Sequence, residues 1–107
     1  MWDRRYVKVA RGGCLRWDAR SDSNQKQIIR DLKRAGASVQ SLGRVGEGCP
    51  DLLVGWRGTN YLVEVKSSIQ EKPRQNQRDW FEAWRGGKVL VARTSDEIIG
   101  YLQRIKG

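Results

Sequence analysis

The sequence predicts an α/β fold in which a mixed sheet is flanked by helices, and three features of the chain predict it. Segments with a helical period alternate with β-rich runs. Glycine- and proline-containing stretches separate them, and the last helix opens on a capping box, Thr94-x-x-Glu97. The resulting order, α-β-β-β-α-β-α, is that of a layer architecture with apolar strands between helices.

Each element has its own justification. Residues 1–21 show no sustained period and hold six basic and two acidic residues, so they read as a basic arm with a short strand at Tyr6 to Ala10. From Asp22 the pattern turns helical. Gln25, Ile28, Ile29 and Leu32 fall on one face, Arg30, Lys33 and Arg34 lie outside, and Gly36 is placed to stop the helix. Val39 to Val45 reads as the first of three strands. After the turn Gly46-Glu47-Gly48-Cys49 comes the run from Pro50 to Trp56, then a turn at Arg57 to Asn60, then Tyr61 to Lys66, so the last two strands form a hairpin. A polar loop containing Pro73 leads to a second helix with Gln77, Trp80, Phe81 and Trp84 on one face, ended by Gly86-Gly87. Lys88 to Arg93 is the last strand. The capping box then opens a helix carrying Ile98, Leu102 and Ile105.

A chain of 107 residues fits one core, so 22–107 is expected to fold as a single domain behind the 1–21 arm. No stretch approaches the roughly 18 apolar residues of a membrane span, and no apolar run follows the N-terminus, so neither a membrane nor a secretory segment is expected. With no histidine, mechanisms needing an imidazole base and the usual zinc sites are excluded. Cys14 and Cys49 are expected to be reduced thiols in the cytoplasm. The net charge of +9, spread evenly over both halves, favours a polyanionic partner.

The chemistry concentrates on the hairpin. Alternation places Leu62, Glu64 and Lys66 on one face of their strand and Tyr61, Val63 and Val65 on the other. An acid and a base then project together from a run otherwise fit for burial, which is costly unless they are paired or hold a metal. Asp51 opens the neighbouring strand, and a hairpin can bring it near Glu64. Two carboxylates and an ammonium are a suitable environment for a hard divalent cation, although a cross-strand ion pair would account for Glu64 and Lys66 alone.

Gly48-Cys49-Pro50-Asp51, twelve intervening residues and Glu64-Val65-Lys66 resemble the PD-(D/E)xK nuclease motif. Asp51-Leu-Leu-Val-Gly, Tyr61-Leu-Val-Glu-Val-Lys66 and Gln77 followed by Trp80 and Trp84-Arg-Gly more narrowly resemble the small stand-alone VRR-Nuc domains of phages and bacteria, from about Asp22 to the C-terminus. The resemblance implies a restriction-endonuclease-like core and a metal-dependent endonuclease. Asp51, Glu64 and the Val65 carbonyl would hold Mg²⁺ or Mn²⁺. Lys66 would position the nucleophile and stabilise charge at the phosphate, and Gln77 would face the site. Where the family usually has a glutamate on the leading helix, counting back from Ile28 and Leu32 lands on Gln25. Gln25 can then ligate the metal through its carbonyl oxygen or hold a metal-bound water, but an amide brings no charge, so a second metal would bind weakly or not at all. Gln27 is the competing position, but it points roughly 160° away around the helix.

The implied substrate is DNA. Arg4, Arg5, Lys8, Arg11, Arg16 and Arg20 of the arm, and Lys72, Arg74 and Arg78 near the second helix, are candidates for phosphate contacts. Trp2, Trp17 and Trp56 lie outside the clear helical stripes and could stack on an unpaired base, or pack in a core or a dimer interface. Small relatives commonly act as symmetric homodimers, so branched DNA such as a four-way junction is an expected substrate. The alternative is a DNA-binding module on a nuclease fold with weak or no activity, suggested by Gln25.

Overall fold

The architecture was obtained as a computed structural model, which describes residues 6–8, 21–66 and 74–105. The elements are β1 (Tyr6–Lys8), α1 (Ser21–Arg34), β2 (Ser38–Ser41), β3 (Leu52–Trp56), β4 (Thr59–Val65), α2 (Gln75–Ala83), β5 (Val89–Ala92) and α3 (Ser95–Arg104). Five strands form one mixed sheet in the order β1-β5-β4-β3-β2. β2, β3 and β4 are antiparallel neighbours, while β5 runs parallel to both β4 and β1. The α/β class, the mixed sheet and the order of elements expected from the sequence are those observed. The strand expected from Val39 to Val45 is shorter: β2 ends at Ser41, and pairing then continues through Leu42 N–H donating to the Asp51 carbonyl at 2.8 Å.

The two faces of the sheet have different tenants. Ile28 and Leu32 of α1 and Ile98 and Leu102 of α3 pack on Leu52, Val54, Val63, Val65, Leu90 and Ala92. The other face carries a smaller cluster in which Phe81 and Trp80 of α2 meet Leu62, Val89 and Val91. The alternation along β4 therefore sorts Val63 and Val65 to the α1/α3 side and Leu62 to the α2 side. At the end of β4 both faces are covered, so Val63, Glu64 and Val65 are buried in succession.

Local signals fix the boundaries. At the end of α1, Ala37 N–H donates to the Leu32 carbonyl and Gly36 N–H to the Lys33 carbonyl, the paired bonds of a Schellman ending. The β3–β4 turn has two residues, Arg57 and Gly58, both with positive φ, as primed hairpin turns require. In α3 the Thr94 side chain accepts from Glu97 N–H and the Glu97 side chain reaches back, completing the capping box.

One aromatic expectation needs correction. Trp84 lies beyond the last turn of α2 and is 39% exposed, because it stacks outside the core on Trp80, with centroids 4.7 Å apart. Of the roles open to Trp56 the core takes it: the ring is buried in the α1/α3 cluster with the Arg57 guanidinium over it, so it offers no face for a base. Trp2 and Trp17 lie outside the described residues.

Candidate functional site

Hairpin register places the two carboxylates. The ladder pairs Trp56 with Thr59 at the turn and Leu52 with Val63 at the far end. One step further, Asp51 stands opposite Glu64. Cross-strand partners project from the same face, and Leu62, two residues before Glu64, belongs to the α2 side. Asp51 also ties the strands together, its Oδ2 accepting Val65 N–H at 2.7 Å.

Glu64 is 3% exposed and Lys66 6%, depths at which a charge needs a partner. Lys66 Nζ is 3.2 Å from Glu64 Oε2. Gln77, half-buried near the start of α2, bridges the pair: its Nε2 donates to Glu64 Oε2 at 2.6 Å and its Oε1 accepts from Lys66 Nζ at 3.1 Å. The same Oε1 accepts Arg74 N–H at 3.2 Å, so one amide caps α2 and joins it to the acid and the base. Glu64 Oε1 is buried without a hydrogen-bond partner among the described residues. Burial first, and the facing Asp51 second, push the Glu64 carboxyl up from 4.5 to about 7, against the pull of Lys66 and Gln77. Burial, with Glu64 and Asp51, also pushes the half-buried Cys49 thiol up.

The glycine-rich turn before Asp51 fits closely against α2. Gly48 has φ +83°, and a Cβ there would lie 2.2 Å from the Asn76 carbonyl oxygen and 2.9 Å from Gln77 N. Only a residue without a side chain lets the turn approach α2 so closely. Beside this contact a cavity of about 200 Å³ opens, lined in part by Gly46, Cys49, Asp51, Arg74 and Gln77.

The sequence-derived residues distribute as follows. Asp51, Glu64, Val65, Lys66 and Gln77 are gathered at one end of the sheet, on or beside its α2 face. Gln25 is half-buried on α1, the helix that packs on the opposite face, and it makes no hydrogen bond to any of these five. Its neighbour Asn24 is the buried amide there, donating to the Arg93 carbonyl at 3.2 Å. Arg74 and Arg78 are exposed on or just before α2. Lys8 lies in β1 at the sheet edge. Arg4, Arg5, Arg11, Arg16, Arg20 and Lys72 lie outside the described residues. The close seat of Gly48 and the buried pair of Arg93 with Glu97 were not singled out from the sequence. An arginine ending a β-rich run immediately before Thr-x-x-Glu was the available signal for the pair.

The donor set suits a hard cation. Two facing carboxylates, one with an unpartnered buried oxygen, can supply the one or two acidic ligands by which Mg²⁺ is usually held, with water and substrate phosphate completing its shell. Among the described residues no group of three or more His, Cys, Asp or Glu forms a metal cluster.

No family model and no curated protein matches the sequence. Among solved structures, a chain described as a VRR_NUC domain matches with a TM-score of 0.62 and 29% identity, over 79% of this chain and 96% of that one. Among the described residues no helix is long and apolar enough to cross a membrane.

Proposed function

This chain has the fold of a VRR-Nuc domain, a nuclease-type domain, and from that premise we propose that it is a divalent-metal-dependent DNA endonuclease selective for branched structures. The observation that carries the reading is the facing pair Asp51 and Glu64, with a buried unpartnered oxygen on Glu64 and the Lys66 ammonium 3.2 Å from its other oxygen. Asp51, Glu64 and the Val65 carbonyl would hold Mg²⁺ or Mn²⁺. When bound, the cation supplies activation of the attacking water and offsets charge developing on the phosphate. Lys66, held by Glu64 and Gln77, presents a positive charge at the same place. Gln77 orients both side chains and fixes α2 relative to them.

Arg74 and Arg78 are exposed beside this site, and the whole chain carries a net charge of +9, which supplies sequence-independent affinity for phosphates. A homodimer would present two such sites related by a two-fold axis, matching two strands of a four-way junction.

The test is cleavage of labelled four-way junction, flap and linear duplex DNA in Mg²⁺, Mn²⁺ and EDTA, with Lys66→Ala as control. Symmetric metal-dependent cuts on the junction, absent in the control, are expected. Tight junction binding without cuts in either metal would favour the second reading, a DNA-binding module. Gln25 is the observation behind that reading, since it brings no charge where the family usually has an acid.

A further inference from the structure

A second buried ionic group lies at the end of the sheet that carries Lys66, and the nuclease reading leaves it without a role. Arg93, directly after β5, is 5% exposed, and Glu97 in the first turn of α3 is 6% exposed. Glu97 Oε2 accepts from the Arg93 guanidinium at 2.9 and 3.3 Å, and its Oε1 accepts the main-chain N–H of Arg93 at 2.7 Å and of Thr94 at 3.2 Å. The Arg93 carbonyl in turn accepts from Asn24. The group therefore joins the end of β5 to the starts of α3 and α1.

Burying such a pair gives little net stability, because desolvation offsets most of the attraction. Its effect lies in where it holds the chain. On the β3 side the ladder ends at Leu52 and Val63, followed by the side-chain bond from Asp51 to Val65. Lys66 is one residue past β4, and its main-chain N–H donates to the Ala92 carbonyl at 2.9 Å. Ala92 is the last residue of β5, and terminal ladder bonds open readily unless the strand end is fixed. The next residue is Arg93.

We propose that Arg93 and Glu97 are positioning residues for Lys66: by clamping the end of β5 they hold the Lys66 main chain, and hence its ammonium, against Glu64 and Gln77. Through Asn24 the same clamp locates the start of α1, where Gln25 sits. The proposal rests on the nuclease reading for its catalytic consequence but not for its structural one.

The variants are Arg93→Met, which keeps length without charge, and Glu97→Gln, which keeps an oxygen for the main-chain donors. Amide hydrogen exchange in metal-free protein should show Lys66 N–H losing at least about tenfold in protection in either variant, with Val54 in β3 unchanged. Single-turnover cleavage should slow about tenfold or more, with DNA affinity in Ca²⁺ unchanged. In a Lys66→Arg background, Arg93→Met should add little further loss, as expected for residues acting through one another. Wild-type protection at Lys66 in a folded variant, or losses that simply add in the double variant, would overturn the proposal. If Arg93→Met does not fold, Glu97→Gln alone decides. If the wild-type protein cleaves nothing, the nuclease reading fails, and the exchange measurement still decides the positioning role.

Discussion

Replacing Gly48 by alanine should damage both stability and activity, and the geometry separates two contributions. A non-glycine residue at positive φ costs about 1–2 kcal/mol. Gly46 shares that conformation at φ +74°, yet a Cβ there meets nothing within 4 Å, so Gly46→Ala measures the backbone cost alone. At Gly48 the added methyl would also stand 2.2 Å from the Asn76 carbonyl oxygen. Relief requires the turn and α2 to separate by more than about 1 Å to reach ordinary contact distance. A shift of that size would stretch the Lys66 to Gln77 bond, now 3.1 Å, beyond hydrogen-bonding range. Gly46→Ala should therefore lower Tm by about 4–8 °C per kcal/mol lost. Gly48→Ala should cost about 3 kcal/mol or more in total, with cleavage by the folded fraction reduced about 100-fold, the usual effect of a 1 Å misplacement. Thermal melts and single-turnover cleavage check both. Equal Tm values for the two variants, or wild-type cleavage by Gly48→Ala, would refute the argument that the close seat of this turn positions Gln77.

Three further outcomes follow from the site. Since the Glu64 carboxyl rises from 4.5 to about 7 on folding, the folded state binds more protons between those values. The metal-free protein should therefore lose stability as pH rises through that window, by up to about 3 kcal/mol from this group; Glu64→Gln should flatten the dependence in melts at pH 5 and pH 8 in EDTA, and an unchanged dependence would count against it. Arg74→Ala and Arg78→Ala should each weaken DNA binding equally across sequences and reduce the salt slope by about one, read from binding isotherms at several salt concentrations. Gln25→Glu should tighten divalent-cation binding by about tenfold if position 25 reaches the bound ion, measured calorimetrically with Ca²⁺; unchanged affinity would place it outside the ion's shell.

Much of this was legible in the sequence because it depends on counting. Ile28 and Leu32 at helical spacing predicted the buried stripe of α1, and Thr94 with Glu97 predicted the start of α3. The alternation of Leu62, Glu64 and Lys66 assigns their face, and a hairpin brings Asp51 near them. The turn expected at Arg57 to Asn60 is only Arg57 and Gly58, however, and that length is what sets Asp51 opposite Glu64 rather than Lys66. Contacts that depend on how layers meet were not legible. The approach of Gly48 to α2 depends on the height of that helix above the sheet. Which of its open roles Trp56 takes depends on what covers the hairpin tip. Arg93 looks like a solvated strand end until α3 folds back and Glu97 arrives beneath it. The layer occupied by α1, and with it the distance of Gln25 from the carboxylates, is likewise a property of the assembled fold.

The β3–β4 ladder also acts as a ruler with its zero at the turn. Asp51 and Glu64 stand one step beyond its last pair, five residues from the tip, or about 17 Å at strand rise. Residues added at the Arg57–Gly58 tip would leave every pairing intact, so the linear spacing of the two acids can grow there without separating them. One residue gained or lost inside either strand would turn an acid through the sheet into the apolar layer under α1 and α3. The tip is accordingly the place in this hairpin for a grafted peptide or a reporter, whereas the strands cannot change their residue number.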